Sequence, residues 1–461
     1  MLDKEVAVRI IMSALLTSSV QLSALFYLQE NQKNANAIVD TNYPESILPS
    51  KTGSNLTDPN LRAEVVFSRL TYPTDMAFLG KNDILVIEKD TGILIRIVNG
   101  TMLQKPLLDV NVATFGHRGM LGITTSNMSS SISTTTPQDQ IFVNNTQNNS
   151  SKSPAPNTNY TKYVFLYYTS IQGNDGEDIT QDKQPLGNIV YRYEFADNKL
   201  AKPKLLLNLP ATPGAIGNGG KILVNLNDDN LYITIGGIGV DGHKTKAQNV
   251  KNGGEADGTS GILVITQDGK QVSQNGILGN KDPINKYYAY GIWNSFGIDF
   301  DPITGMMWDT ENGVVFGDEI NLVEPGFNSG WNKIDGIWLR GHPINETESY
   351  PVAKQTGELL VDFNGKGKYS PPEFTWFDDV GPTAIRFFNS DKLGKQYQND
   401  MFVGDIINGN IYHFELNKQR TELLLPPNIP LSDKILSSNE TKFNDVIIFG
   451  KEFGGITDIE E

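Results

Sequence analysis

The chain has 461 residues, with 38 Lys and Arg against 53 Asp and Glu, a net charge of -15 and no cysteine. The acidic balance argues against a nucleic-acid partner, whose phosphates call for basic patches, and the missing thiols exclude disulfides, Cys-ligated zinc and thiol catalysis together. Gly and Pro, at 44 and 23 residues, describe a turn-rich folded chain long enough to bury a core without covalent staples.

Arg9 is followed by an uncharged run, residues 10–29, that ends at Glu30. About 20 apolar residues span a bilayer, but Ser, Thr and Gln dilute this run, and Ala35-Asn36-Ala37 supplies a small-x-small cleavage pattern. Residues 1–37 are read as a signal peptide or an N-terminal membrane anchor, with an ordinary amphipathic helix as the alternative. Export in either form places the protein outside the cell or at its surface, with residues 10–29 as the membrane attachment if they stay. Asn-x-Ser/Thr patterns at Asn55, Asn99, Asn127, Asn144, Asn148, Asn149, Asn159, Asn345 and Asn439 fit an exported glycoprotein. Residues 38–61 read as a polar linker. Residues 126–161, rich in Ser, Thr and Asn, read as a low-complexity insertion in the domain that fills 62–461.

Within that domain, short apolar runs alternate with Gly, Asn and Asp. Ile84–Glu88 and Ile93–Val98 flank Asp90-Thr91-Gly92; Lys221–Val224 and Leu231–Ile235 flank Asn227–Asn230. Gly297–Pro302 leads through Thr304-Gly305 to Met306–Asp309, and Asp400–Asp405 leads through Asn408-Gly409 to Asn410–Glu415. β-branched and aromatic runs with this punctuation read as hairpins. The pattern recurs near Met76, Met120, Lys221, Phe296 and Thr383, which suggests a β-propeller with its ligand at one channel mouth.

The segments Tyr72–Met76, Gly119–Ile123, Asn218–Ile222, Asn294–Gly297, Glu311–Gly313, Gly317–Leu322 and Gly326–Trp331 resemble the soluble PQQ-dependent glucose and aldose sugar dehydrogenases, the glucose/sorbosone dehydrogenase family. The resemblance runs from about residue 62 to the end of the chain. It implies an all-β, six-bladed propeller of the quinoprotein glucose dehydrogenase type, with PQQ and Ca²⁺ at the channel mouth. It also implies oxidation of an aldose at C1, with hydride transfer to PQQ and onward to an electron acceptor the sequence does not identify. The implied cofactor positions are His117, Trp293, Asn294, Gly313 and Val314. The implied metal positions are the Gly313 and Val314 carbonyls and the carboxylates Asp318 and Glu319, oxygen donors of the kind calcium takes.

The chemistry requires a base for the sugar hydroxyl and cations for the PQQ carboxylates, and here the sequence departs from the family. The position of the family's catalytic His is Gly217, and the four histidines, His117, His243, His342 and His413, lie elsewhere. Trp293 stands where an Arg is expected, His117 where a Gln or Glu is expected, and Ile407 at a cationic position. Arg118, Lys221 and Lys251 are the cations left to substitute. Relatives continue past Ile459 with further strands, so the last blade is expected to be short of them. Two functions follow: an aldose dehydrogenase by family, or a non-catalytic extracellular propeller that binds a sugar, a glycan or a protein.

Overall fold

A computed structural model describes residues 9–12, 54–129, 160–240, 242–340, 359–427 and 430–461. Two short strands, β1 (Arg9–Met12) and β2 (Asn55–Leu56), precede the first sheet. That sheet contains β3 (Pro73–Gly80), β4 (Asp83–Glu88), β5 (Ile93–Val98) and β6 (Thr101–Met102), with β7 (Leu108–Asp109) also on β5. The second is β8 (Met120–Ser129), β9 (Tyr160–Ser170), β10 (Gly187–Ala196) and β11 (Lys199–Leu209). The third is built on β12 (Ile222–Val224), β13 (Asn230–Ile235), β14 (Gly261–Thr266) and β15 (Tyr287–Tyr290), and the fourth on β16 (Ser295–Phe300), β17 (Met307–Glu311) and β18 (Phe316–Val323).

Next, β19 (Phe327–Asn328) returns to the third sheet, while β20 (Ile334–Asp335) and β21 (Trp338–Leu339) make a separate hairpin. β22 (Lys368–Tyr369) extends the third sheet and β23 (Phe374–Asp378) the fourth. The fifth sheet takes β24 (Pro382–Phe387), β25 (Met401–Asp405) and β26 (Ile411–Phe414). β27 (Ile435–Leu436) edges the fourth sheet, and β28 (Ile448–Lys451) lies in the fifth between β26 and β2. The final strand, β29 (Ile456–Glu460), pairs with β1 alone among the described residues.

The first strands of successive sheets, β3, β8, β12, β16 and β24, pack side by side, and β29 lies between β24 and β3. The arrangement is all-β and propeller-like. Its cores are the seams between neighbouring sheets. Phe165, Tyr167, Ile222 and Ile233 join the second to the third, and Trp308, Phe374, Ile385 and Val403 join the fourth to the fifth. Each such side chain, fully buried, contributes about 1.5–3 kcal/mol relative to exposure. The hairpins follow the sequence pattern. At the β16–β17 turn, Asp301 accepts from the Ile303 N–H at 3.0 Å and from the Thr304 hydroxyl at 2.8 Å, an Asx-type turn.

The structure corrects the edges of the low-complexity insertion. Residues 126–129 and 160–161 are the facing ends of β8 and β9, in register from Ser126↔Tyr163 to Ser129↔Tyr160. The ladder is made by backbone groups, so it continues past the apolar part of β9 into polar residues. The rest of that insertion, most of the 1–37 and 38–61 segments, and the acceptor sites Asn144, Asn148, Asn149, Asn159 and Asn345 lie outside the described residues. No described helix is long and apolar enough to cross a membrane.

Candidate functional site: the channel and its mouth

Every position around the ring contributes to a central cavity: Thr74 of β3, Leu121 of β8, Lys221 just before β12, Phe296 of β16, Thr383 of β24 and Thr457 of β29. Its charges are paired within the chain. Lys221 Nζ donates to Asp75 at 2.9 Å and to Asp458 at 2.7 Å. Asp75 also accepts from the Met76 and Ile123 N–H groups at 2.8 and 2.9 Å. Burial pushes the Asp75 carboxyl well up and Lys221 pulls against it, whereas Asp458 and Asp75 outweigh burial at Lys221 and keep it charged. Arg386 lies 3.6 Å from Asp299 and 3.3 Å from Glu460. Burial raises the Glu460 carboxyl to about 7 despite that guanidinium.

At the mouth, the structure brings together His117, Gly217, Trp293, Asn294 and Val314. The Gly217 N–H donates to His117 Nδ1 at 3.1 Å, and Asn294 Nδ2 lies 3.3 Å from the same nitrogen. Burial, with Lys89 nearby, lowers His117 to about 4. The ring is therefore neutral near pH 7, its Nδ1 lone pair faces an N–H, and its proton sits on Nε2. In that tautomer His117 is a donor and not a base.

Gly217 has φ +72°, the left-handed region, and a Cβ there would lie 3.2 Å from Trp293 Cζ3 and 3.3 Å from Cη2. The Trp293 ring covers Gly217. It is 3% exposed and packs with Ile216, Val314 and Trp331, the two indoles 4.4 Å apart at 36°. Gly237 makes room for the ring on another side, since a Cβ there would sit 3.0 Å from Trp293 Cε3, and Gly236 lets the Trp293 backbone carbonyl approach.

Arg118 is engaged by its own neighbours: it donates to Asp178 at 3.2 Å and to the Ala211 and Gly214 carbonyls at 2.9 and 3.2 Å. Ile407 lies beside Gly381, its N–H donating to the Val380 carbonyl. His243 contacts Asp257 through Nδ1 and the Thr212 carbonyl through Nε2, and Asp257 raises its pKa.

Asp318 and Glu319 are adjacent on β18, so their side chains point to opposite faces. Asp318 accepts from the Gly313 N–H at 2.8 Å and from the Val380 and Gly381 N–H groups at 2.7 and 2.8 Å, which holds the Gly313 turn against the next sheet. Glu319 faces Glu311, its register partner on β17, and Ser329 donates to both, at 2.6 Å to Glu311 and 3.2 Å to Glu319. Glu311 in turn accepts the Trp293 N–H.

Asp309, buried one step along the same face, has neither carboxylate oxygen hydrogen-bonded. Burial first, then repulsion from Asp309 at Glu311 and from Glu311 at Glu319, push both carboxyls well up, and burial takes Asp309 to about 7. Among the described residues, no group of three or more His, Asp or Glu side chains is arranged to hold a metal ion.

Sequence reasoning singled out the Glu311 carboxylate but missed Asp75, Asp458 and Asp309. Asp309 carried a usable signal, a carboxylate two residues from Glu311 and so on the same face of β17.

Sheets ringed about a channel, with a site at its mouth, define a β-propeller-like scaffold. The model of the Glucose / Sorbosone dehydrogenase family matches residues 152–426, and the chain belongs to that family. It is 24% identical over 367 residues to an uncharacterised protein of Synechocystis sp., covering 78% of this chain and 77% of that one. It is 24% identical over 364 residues to aldose sugar dehydrogenase YliI of Escherichia coli, covering 77% and 81%. The PQQ-bound aldose sugar dehydrogenase of Streptomyces coelicolor has the same fold, with a TM-score of 0.51 at 19% identity over 81% of this chain and 84% of that one.

Proposed function

We propose that this chain is a non-catalytic member of its family: a six-position propeller that keeps the sugar-dehydrogenase scaffold, does not hold PQQ, and binds a sugar or glycan at its channel. The observation that carries this reading is the Trp293 indole packed over Gly217, where the family's base is expected.

The residues present do not fit the quinone. Its carboxylates need guanidinium or ammonium partners, whereas Trp293 and Ile407 carry no charge and Arg118 and Lys221 are held by their own acids. A flat group over Gly217 would have to displace an indole wedged between two glycines and Trp331. The exposed cavity wall is mostly apolar, from Leu121, Phe296 and Ile406, a surface for the apolar face of a sugar ring, with a few polar points among them. Thr74 and Thr457 donate to the Met120 and Pro73 carbonyls at 2.7 and 3.0 Å, which leaves their oxygens as acceptors.

Calcium belongs to this reading at Glu311 and Glu319, where two buried carboxylates share one hydroxyl and a cation would relieve their repulsion. An extracytoplasmic location is supported by the exposure of the acceptor sites Asn55, Asn99 and Asn127.

The test is PQQ titration with Ca²⁺, together with dye reduction across aldoses, on the full chain and on a Gly217→His, Trp293→Arg double variant. Calorimetry of the same sugars runs alongside. Sugar binding without quinone binding or turnover is expected. Quinone-dependent turnover by the natural chain would refute the reading and restore the dehydrogenase.

A further inference from the structure

The five full sheets each hydrogen-bond their first strand to a second strand that follows it in the chain, whereas among the described residues β29 pairs only with β1, from the other end of the chain. It is nonetheless fastened as a first strand would be. Thr457 donates to the Pro73 carbonyl of β3 at 3.0 Å, and Asp458 accepts from the Met76 N–H at 3.2 Å and from Lys221 at 2.7 Å. On the other side, Thr383 of β24 donates to the Ile456 carbonyl, and the Glu461 carboxylate accepts from the Asn389 and Ser390 N–H groups, each at 2.8 Å. Ile456 and Ile459 join Ala384, Phe402 and Phe449 in one core cluster. These ties fix both flanks of β29 and leave its backbone edge to one described partner. That partner is β1, antiparallel, with Arg9↔Glu460, Ile10↔Ile459, Ile11↔Asp458 and Met12↔Ile456 in register.

We propose that the edge of β29 is a strand-docking site whose occupant is the chain's own N-terminal segment, Arg9–Met12, retained in the working protein as the second strand of the sixth position. An unpaired strand edge is a standing template for strand addition, and here the register is already defined. Reach is no obstacle: the 41 residues between Met12 and Ser54 extend to roughly 135 Å at about 3.3 Å each. The assignment gives Ile10–Met12 a place in the folded protein. It therefore excludes removal of this segment after Ala37 and its insertion in a bilayer, whatever route carries the protein across a membrane.

Hydrogen exchange of the peptide spanning Ile456–Glu460, in the full chain and in a chain lacking residues 1–12, tests the site. Faster exchange of that peptide on deletion is expected, with protection returned by a synthetic peptide of residues 5–16. Single Ile10→Pro and Ile11→Pro variants of the full chain add a register test. In an antiparallel pair only alternate N–H groups face the partner, so one proline should lower β29 protection and Tm by several degrees while its neighbour does little. Unchanged β29 protection on deletion would overturn the proposal. So would equal effects of the two prolines, or a mass showing that the protein made by its own cells begins after Met12. Concentration-dependent dimers that exchange N-termini would replace closure within one chain by closure between copies, and would overturn the assignment as stated.

Discussion

The fit of Trp293 over Gly217 can be measured by a double-mutant cycle. Alanine at 217 must adopt φ +72°, which costs about 1–2 kcal/mol for a residue with a Cβ. Its Cβ would also press on the indole at 3.2 and 3.3 Å and on the Ile238 nitrogen at 3.3 Å. The ring has no free direction in which to yield, because Gly237, Trp331 and Val314 hold it, so overpacking adds about 1–2 kcal/mol. Gly217→Ala should therefore destabilise by about 2–4 kcal/mol in the natural chain. Trp293→Ala alone should cost about 3–5 kcal/mol through the cavity it leaves. In the Trp293→Ala background the contact component of Gly217→Ala disappears and the backbone component stays, which gives a coupling energy of about 1–2 kcal/mol. Urea denaturation of the four proteins, with slopes compared to check that the unfolded states match, supplies every number. If Gly217→Ala costs the same with and without the indole, the ring does not occupy that space, and the argument for a closed cofactor position falls with it.

Three other perturbations have definite signs. Lys221→Met leaves Asp75 and Asp458 buried without their cation and should cost about 3–5 kcal/mol by urea denaturation; a neutral result would mean those acids are not charged in the fold. Burial raises Asp405 from 3.8 to about 7, against the hydrogen bonds it accepts from Tyr412, Asn408 and Gly409. The folded state thus holds that proton more tightly than the unfolded chain, and this group's contribution to stability falls as pH rises from 3.8 to about 7. The unfolding free energy of the natural chain minus that of Asp405→Asn should accordingly fall across that window, and a difference that rises with pH would refute the assignment. Millimolar Ca²⁺ should raise Tm, with the gain lost in Glu319→Gln and kept in Asp318→Asn; an equal response in both variants would place the ion elsewhere or nowhere.

What was legible in the sequence was local. Ile84–Glu88 and Ile93–Val98, the Thr304-Gly305 turn and the Asn408-Gly409 turn are readable because strand pattern and turn chemistry act within a dozen residues. The meeting of His117, Gly217, Trp293 and Asn294 was legible only through motif order, since their approach depends on how three sheets are set around the ring. The charge pairs were not legible at all. Lys221 and Asp458 are 237 residues apart, and nothing in either segment marks the other as its partner. Glu311 and Glu319 were separately visible as acids, but their apposition follows from the β17–β18 register. Strand alternation separates Asp318 from Glu319, which the family resemblance had implied would serve one metal site.

The channel's charges bear on whether chemistry survives better than any one missing residue. A catalytic or cofactor site works through charges and dipoles held ready for a ligand and left unsatisfied until it arrives, and keeping them so lowers stability. Here Lys221 is neutralised by Asp75 and Asp458, Arg386 by Asp299 and Glu460, and Arg118 by Asp178. The Nδ1 of His117 is occupied by the Gly217 amide. Two of these acids, Asp458 and Glu460, lie on β29, so Lys221 and Arg386 serve to fasten that strand. Restoring a base at 217 alone would leave that wiring intact. The Gly217→His, Trp293→Arg variant should therefore regain quinone binding only weakly, unless the clamp on β29 can be loosened without opening the ring.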